Sequence, residues 1–268
     1  FLQVSINGPH TPVVPPYPFD CLYRAEEIKY PKEAESSGEG RPEWIENTLR
    51  SFADSSRLTP EQISEARRYY YGEVSFVDYQ CGVLLNWMKE KGLLDNTIVV
   101  FVSDHGTHIG DYGLVQKQTF YEPVVNVPFF LWYPSDFAKG ITIDTPVETR
   151  MLLPTLLDLI GLPIPEQCHA ESLASCLLSG KEPEQKPVFS EFTLGSLGVC
   201  HDDKIVMVRD GEWKLSLCFA PDMCDGALYN LAQEPYERHN LYNSPKHSEV
   251  VNRLTELIVH HLKREEKR

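Results

Sequence analysis

The chain has 268 residues, 42% of them hydrophobic, enough apolar material for one large buried core or two unequal ones. No apolar run approaches the roughly 18–20 residues of a membrane-spanning helix, which excludes that class of protein. The net charge is −14, and the one basic cluster, Lys263-Arg264 with Lys267-Arg268, is broken by Glu265-Glu266; a nucleic-acid binder gathers its Lys and Arg on one face, so neither nucleic acid nor a membrane is expected as a partner.

Phe1 to Ile6 alternates apolar and polar residues and predicts a strand from the first residue onward. A chain that begins inside a strand reads as a piece of a longer protein, with an N-terminal part outside it. The prolines between Val13 and Pro18 forbid helix and predict an extended surface loop. Residues 32–58 are polar and read as a loop with a flexible tip at Ser36 to Gly40. Thr59 then supplies an N-cap, Pro60 suits the first helical position, and Gln62 completes a capping box. Apolar residues at 63, 66, 70, 74, 77, 81, 84 and 88 continue a single helical stripe to Gly92.

Thr97 to Val102 is an uninterrupted run rich in β-branched residues, as in a parallel strand buried on both faces. Phe129 to Tyr133 predicts a second buried strand, and Thr149 to Leu159 a helix closed by Gly161. From Pro187 the texture changes. Val188 to Phe192 reads as a strand, Lys204–Val208 and Glu212–Leu217 flank the turn Asp210-Gly211, and Ser248 to about Lys263 forms a helix with Val251, Leu254, Ile258 and Leu262 inward. The fold class is therefore α/β: part of a large, mostly parallel sheet flanked by helices over residues 1–186, then a small antiparallel sheet with one helix over 187–268. The seven cysteines show no metal-binding spacing and read as small buried hydrophobes, with a Cys218–Cys224 bridge left open.

The chemistry gathers at Asp104-His105-Gly106, directly after the buried strand. Open α/β sheets place ligands at the carboxyl ends of their strands, where a carboxylate and an imidazole emerging together reach one cation. For the three residues alone, an Asp–His hydrogen-bonded pair at a loop start is the competing reading.

The wider segment, Asp104-His105-Gly106-Thr107-His108-Ile109-Gly110-Asp111, followed by Lys117, Tyr121-Glu122 and Val127-Pro128, resembles the sulfatase family of the alkaline phosphatase superfamily. So do Pro9-His10-Thr11-Pro12, Pro154-Thr155-Leu156-Leu157-Asp158-Leu159, Trp213-Lys214-Leu215, and Leu228-Tyr229-Asn230-Leu231 with Glu234-Pro235, Glu237 and Asn240-Leu241. The resemblance implies that Asp104 and His105 are metal ligands. Calcium is the family's ion, though an imidazole is unusual for it and also suits zinc. It further implies two catalytic side chains facing a sulfate ester: Lys117, stabilising charge on the sulfuryl oxygens, and His10, protonating the leaving oxygen. Alone, His10 reads as a loop histidine and Lys117 as a solvated charge. His108 is expected to pack the loop or to support the ligands from behind rather than bind metal itself. Thr107 stands where the family often has Glu, and Ala170 where Gly often precedes Glu171-Ser172-Leu173.

The family's nucleophile is a Cys or Ser of a Cys/Ser-x-Pro-x-Arg motif oxidised to formylglycine. None of the seven cysteines here has Pro two residues on and Arg four residues on. The expected protein is a sulfuric ester hydrolase acting on a sulfated sugar or aryl sulfate, present as a part without its nucleophile. The rivals are a phosphonate monoester or phosphodiester hydrolase of the same superfamily, and a non-catalytic homologue that binds sulfated glycans. Location outside the cytoplasm is implied by the resemblance alone.

Overall fold

The structure is a computed structural model that describes residues 1–28, 40–48, 55, 58–193, 204–220 and 223–266; of residues 47, 48, 220, 223, 224, 265 and 266 it describes the backbone only. In chain order the helices are α1 (Glu43–Thr48), α2 (Pro60–Glu90), α3 (Glu122–Val125), α4 (Leu152–Leu159), α5 (Ala174–Ser179) and α6 (Ser248–Glu266). The strands are β1 (Val99–Val102), β2 (His108–Ile109), β3 (Val115–Gln116), β4 (Phe129–Trp132), β5 (Val188–Thr193), β6 (Lys204–Asp210), β7 (Trp213–Ala220) and β8 (Met223–Asn230). Among the described residues no helix is long and apolar enough to cross a membrane.

The α2 start forms as its sequence dictates. The Thr59 side chain accepts from the Gln62 amide, and the Gln62 side chain accepts from the Thr59 amide at 2.8 Å. Phe19 packs on this helix against Phe76 and Tyr79, with ring centroids 5.4 and 5.6 Å apart. Its backbone comes so close to Gly72 that a side chain there would overlap the Phe19 carbonyl.

Three expectations are corrected. Phe1 to Ile6 forms no strand among the described residues, since alternation makes a strand only where a neighbour completes the ladder; Phe1, Leu2, Val4 and Ile6 are exposed. The 32–58 segment is not all loop, because α1 carries Trp44 and Ile45 into the core; its expected tip at 36–39 lies outside the described residues. Finally, β4, the strand that pairs with β1 among the described residues, runs antiparallel to it, Phe101 opposite Phe130, and Val102, Phe130 and Trp132 are exposed. A parallel return needs a crossover, usually a long helix. The chain between β1 and β4 contains only short elements, the β2–β3 hairpin with a 3-10 turn at Asp111–Gly113 and the four-residue α3, so it comes back beside β1 in the opposite sense.

The C-terminal region forms as expected and gains a strand that was not anticipated. It is a four-stranded antiparallel sheet in the order β5-β6-β7-β8, with Gly211 at φ +59° in the β6–β7 turn. Both faces of this sheet are covered. On one, Val206, Val208, Leu215, Leu217 and Leu228 meet Leu254 and Ile258 of α6. On the other, Ile205, Met207, Cys218, Ala227 and Tyr229 meet Trp44, Ile45, Tyr112, Leu114, Phe120 and Tyr121. The second set ties the sheet to the segment that follows Asp104-His105-Gly106.

Leu254 is fully buried, whereas Glu256 on the same helix faces solvent. Leu254→Ala should lower stability by about 2–5 kcal/mol and Glu256→Ala by no more than about 0.5 kcal/mol, read from denaturant unfolding of the two variants.

Candidate functional site

The site begins where β1 stops. The Ser103 amide still donates to the Pro128 carbonyl at 3.1 Å, extending the β1–β4 ladder by one step. Asp104 and His105 then leave the sheet at the carboxyl end of β1. Gly106 turns the backbone against α3: its amide donates to the Val124 carbonyl at 2.7 Å, and a Cβ on it would overlap the Pro123 carbonyl oxygen. Only glycine fits there.

Asp104 and His105 converge. Asp104 Oδ1 accepts from the His105 amide at 2.9 Å, and Asp104 Oδ2 lies 3.4 Å from His105 Nε2. The Asp104 side chain is 83% exposed and that of His105 36%. His105 Nδ1 lies 2.9 Å from the Gly106 carbonyl oxygen, so this nitrogen carries the proton and donates. In the neutral ring, Nε2 is then a lone pair facing a carboxylate oxygen. Two acceptors opposed at 3.4 Å repel each other unless a proton or a cation lies between them. A ring nitrogen pinned to a backbone carbonyl while the other points outward is also the usual posture of a metal-ligating histidine. The pair thus fits a cation as part of a ligand set. Among the described residues no third His, Cys, Asp or Glu joins them.

The other two sequence candidates are not brought into contact with this pair. His10 is exposed and its Nδ1 lies 2.7 Å from the Thr11 carbonyl oxygen. Lys117 is half-buried just after β3, its amide donating to Gln118 Oε1 at 3.1 Å. Among the described residues no hydrogen bond, ion pair or ring contact joins either side chain to Asp104 or His105.

His108 is in the core, as expected. It is 2% exposed, its Nε2 lies 2.8 Å from Thr119 Oγ1, and its ring meets Tyr112 and Tyr121 edge-on. Burial pushes its pKa down from 6.5 to about 4. The β2–β3 hairpin beside it is gripped from α2. Arg67 Nε donates to the Ile109 carbonyl at 2.8 Å, and its guanidinium pairs with Asp111 Oδ1 at 2.7 Å, while Asp111 Oδ2 accepts from the Ile109 amide. Tyr112, at φ +57°, stacks on Tyr121 with centroids 4.4 Å apart, and Arg41 donates to the Tyr112 carbonyl.

Sequence reasoning gave no role to a second cluster just behind the loop. Lys214 Nζ lies 2.7 Å from Glu122 Oε1 and 2.6 Å from Glu237 Oε1, and Glu237 Oε2 accepts from the Glu122 amide at 2.8 Å. Arg209 reaches Glu122 Oε2 at 3.9 Å. The Lys214 and Glu237 side chains are 3% and 0% exposed. The signal was present, in that all three residues of the triad fall in segments that carry the family resemblance. Their pairing, however, spans 92 and 115 positions and no local pattern reveals it.

The low pKa of His108 has a measurable consequence. Unfolded, the ring takes up a proton near pH 6.5; folded, only near pH 4. Between these values the unfolded chain binds more protons, so stability falls as pH drops from about 6.5 towards 4 and is insensitive to this group above that window. His108→Gln should flatten that limb of a stability-against-pH curve from chemical denaturation. An unchanged slope would show that other groups produce it.

Comparison with known proteins places the chain. Residues 1–162 match the Sulfatase family, and residues 110–264 match the family described as N-sulphoglucosamine sulphohydrolase, C-terminal. An arylsulfatase of Clostridium perfringens is 29% identical over 98% of this chain and 53% of its own length. A choline-sulfatase of Rhizobium meliloti is 28% identical over 91% of this chain and 46% of its own. Among solved structures, a phosphonate monoester hydrolase from Silicibacter pomeroyi superposes with a TM-score of 0.83 at 25% identity, over 96% of this chain and 54% of that one. A protein solved in complex with its substrate D-glucosamine-2-N,6-O-disulfate superposes with a TM-score of 0.71 at 25% identity, over 84% of this chain and 46% of its own. The chain spans about half the length of the relatives it matches. With one family covering residues 1–162 and the other 110–264, the chain belongs to the sulfatase family of the alkaline phosphatase superfamily.

Proposed function

We propose that this chain is part of a sulfuric ester hydrolase acting on a sulfated sugar or aryl sulfate, with residues 1–186 belonging to its catalytic α/β domain and 187–268 to a C-terminal subdomain. The observation that carries the reading is the opposed Asp104–His105 pair at the carboxyl end of β1, within a chain of this family. Asp104 Oδ and His105 Nε2 are the donors this chain offers to a cation, for which Ca²⁺ is our choice on the strength of the family and the hard carboxylate oxygen. When bound, such an ion would polarise the ester oxygens as a Lewis acid. Lys117 places a positive charge on the same loop to stabilise the sulfuryl oxygens, and His10 is the proposed proton donor to the leaving alcohol. The nucleophile, a formylglycine in this reading, comes from residues other than these 268, since the sequence holds no Cys-x-Pro-x-Arg.

A second reading has a specific observation behind it: the Silicibacter pomeroyi phosphonate monoester hydrolase superposes with a TM-score of 0.83, and a multifunctional alkaline phosphatase superfamily protein of Trinickia caryophylli is 25% identical over 94% of this chain. Steady-state kinetics of the full-length protein on 4-nitrophenyl sulfate and on 4-nitrophenyl phenylphosphonate separate the two. A higher kcat/KM for the sulfate supports the first reading, and the reverse order overturns it.

In the same protein, Lys117→Ala should lower kcat by roughly 10²–10³ with an unchanged melting temperature, as for loss of one preorganised charge at the transition state. Near-normal turnover would return Lys117 to the solvated surface. The 268-residue chain alone should show no multiple turnover of an aryl sulfate, and catalysis by a purified sample would refute the assignment of the nucleophile to residues outside it.

A further inference from the structure

The buried cluster of Glu122, Lys214 and Glu237 has no place in the chemistry above, yet it sits one short step from the site. Glu122 is the first residue of α3, and both its side chain and its backbone amide are held from the C-terminal subdomain, by Lys214 and Glu237 respectively. Two residues on, the Val124 carbonyl accepts the Gly106 amide at 2.7 Å, and the Pro123 carbonyl fills the space where a Gly106 side chain would stand. Gly106 in turn presents the carbonyl oxygen that takes the His105 Nδ1 proton. Three consecutive links therefore run from the sheet to the imidazole: ion pairs to Glu122, a four-residue helix, and two hydrogen bonds at Gly106. Tyr121, the residue before Glu122, carries the same restraint to the other limb of the loop by stacking on Tyr112.

We propose that Lys214 and Glu237 are positioning residues for the Asp104–His105 pair, fixing the His105 ring through Glu122, α3 and Gly106. The geometry favours this over a purely structural tie. A buried ion triad is an expensive way to join two layers that the apolar contacts of Trp44, Phe120 and Tyr121 already join, and such groups are best attested where they set one arrangement among several. The charges balance, two carboxylates against Lys214 and Arg209, so the cluster holds α3 without a net charge in the core. The proposal rests on reading Asp104 and His105 as metal ligands only for its consequence, not for its geometry.

The test uses Glu122→Gln, whose side chain is the most exposed of the triad, and the double variant Lys214→Met/Glu237→Gln, which neutralises both partners together so that no unpaired charge is left buried. Amide hydrogen exchange in the full-length protein should rise by about tenfold or more at Gly106 in both variants, while β6 and β7 keep their protection. The ¹⁵N shifts of the His105 ring should move from a single Nδ1–H tautomer to a mixture. Calcium affinity by calorimetry should fall by roughly 10- to 100-fold, the usual effect of removing an outer partner of a ligating histidine. Unchanged exchange at Gly106 and an unchanged ring tautomer in a folded variant would overturn the proposal. So would protection lost evenly across the C-terminal sheet. If the exchange and the tautomer respond but calcium binds neither the parent nor the variants, the positioning role stands and the metal reading fails.

Discussion

A lysine sunk between two glutamates governs how this chain is put together. Moving Lys214, Glu122 and Glu237 out of water costs several kcal/mol per ion, and only close, fully bonded geometry offsets that. Here Lys214 Nζ lies 2.6 Å from Glu237 Oε1 and 2.7 Å from Glu122 Oε1, and the second Glu237 oxygen is taken by the Glu122 amide. Because the cluster tolerates no slack, it fixes the register of β7 against α3. From α3 the backbone leads directly to Gly106, and from Tyr121 to the β2–β3 hairpin. Everything between residues 104 and 122 is hung from this point on one side and from Arg67 of α2 on the other.

That suspension explains how the loop sustains an unusual backbone. Tyr112 and Gln116 both take positive φ, at 57° and 72°, a region non-glycine residues normally avoid. Each such residue costs on the order of 1–3 kcal/mol and persists only where the surroundings over-determine it. Here they do. The Tyr112 ring is stacked on Tyr121, its carbonyl is held by Arg41, and its neighbour Asp111 is paired with Arg67. Strain between two rigid anchors is characteristic of a loop whose shape is used.

Local signals were legible in the sequence, and long-range ones were not. The Thr59–Gln62 capping box needs only four residues to declare itself, and it formed as read. The Asp210-Gly211 turn did likewise. By contrast, the β-branched run before Ser103 suggested burial on both faces, yet the strand with both faces covered is Lys204–Asp210, which ends in charge. Lys214 and Ser216 alternate with Trp213, Leu215 and Leu217, so the strand reads as amphipathic with a wet face. That face is dry, because the 112–121 segment and α1 lie over it. Trp44 and Ile45 were lost in a polar stretch for the same reason: two apolar residues carry no period of their own. Of the site, the Asp104–His105 pair was visible through its motif. Arg67 was not, since one arginine set beside Ile63 and Tyr70 on the apolar stripe of α2 carries no signal until Ile109 and Asp111 are placed opposite it.

The two family matches overlap over residues 110–162, and the structure gives that overlap a physical sense. The overlap begins inside the hairpin, includes α3 with Glu122, and runs through β4 to α4. Its first part packs Tyr112, Leu114, Phe120 and Tyr121 on the C-terminal sheet, while its β4 strand completes the ladder with β1, from which Asp104 and His105 emerge. One segment thus answers to two neighbours, and a change at either is felt at the same few residues. The opposed acceptors at Asp104 and His105 lie at the meeting point of those demands. Their 3.4 Å approach is unfavourable for a carboxylate facing the lone pair of a neutral imidazole. Held jointly, through Gly106 on one side and the Ser103–Pro128 ladder step on the other, the two side chains keep a geometry whose natural complement is a positive charge.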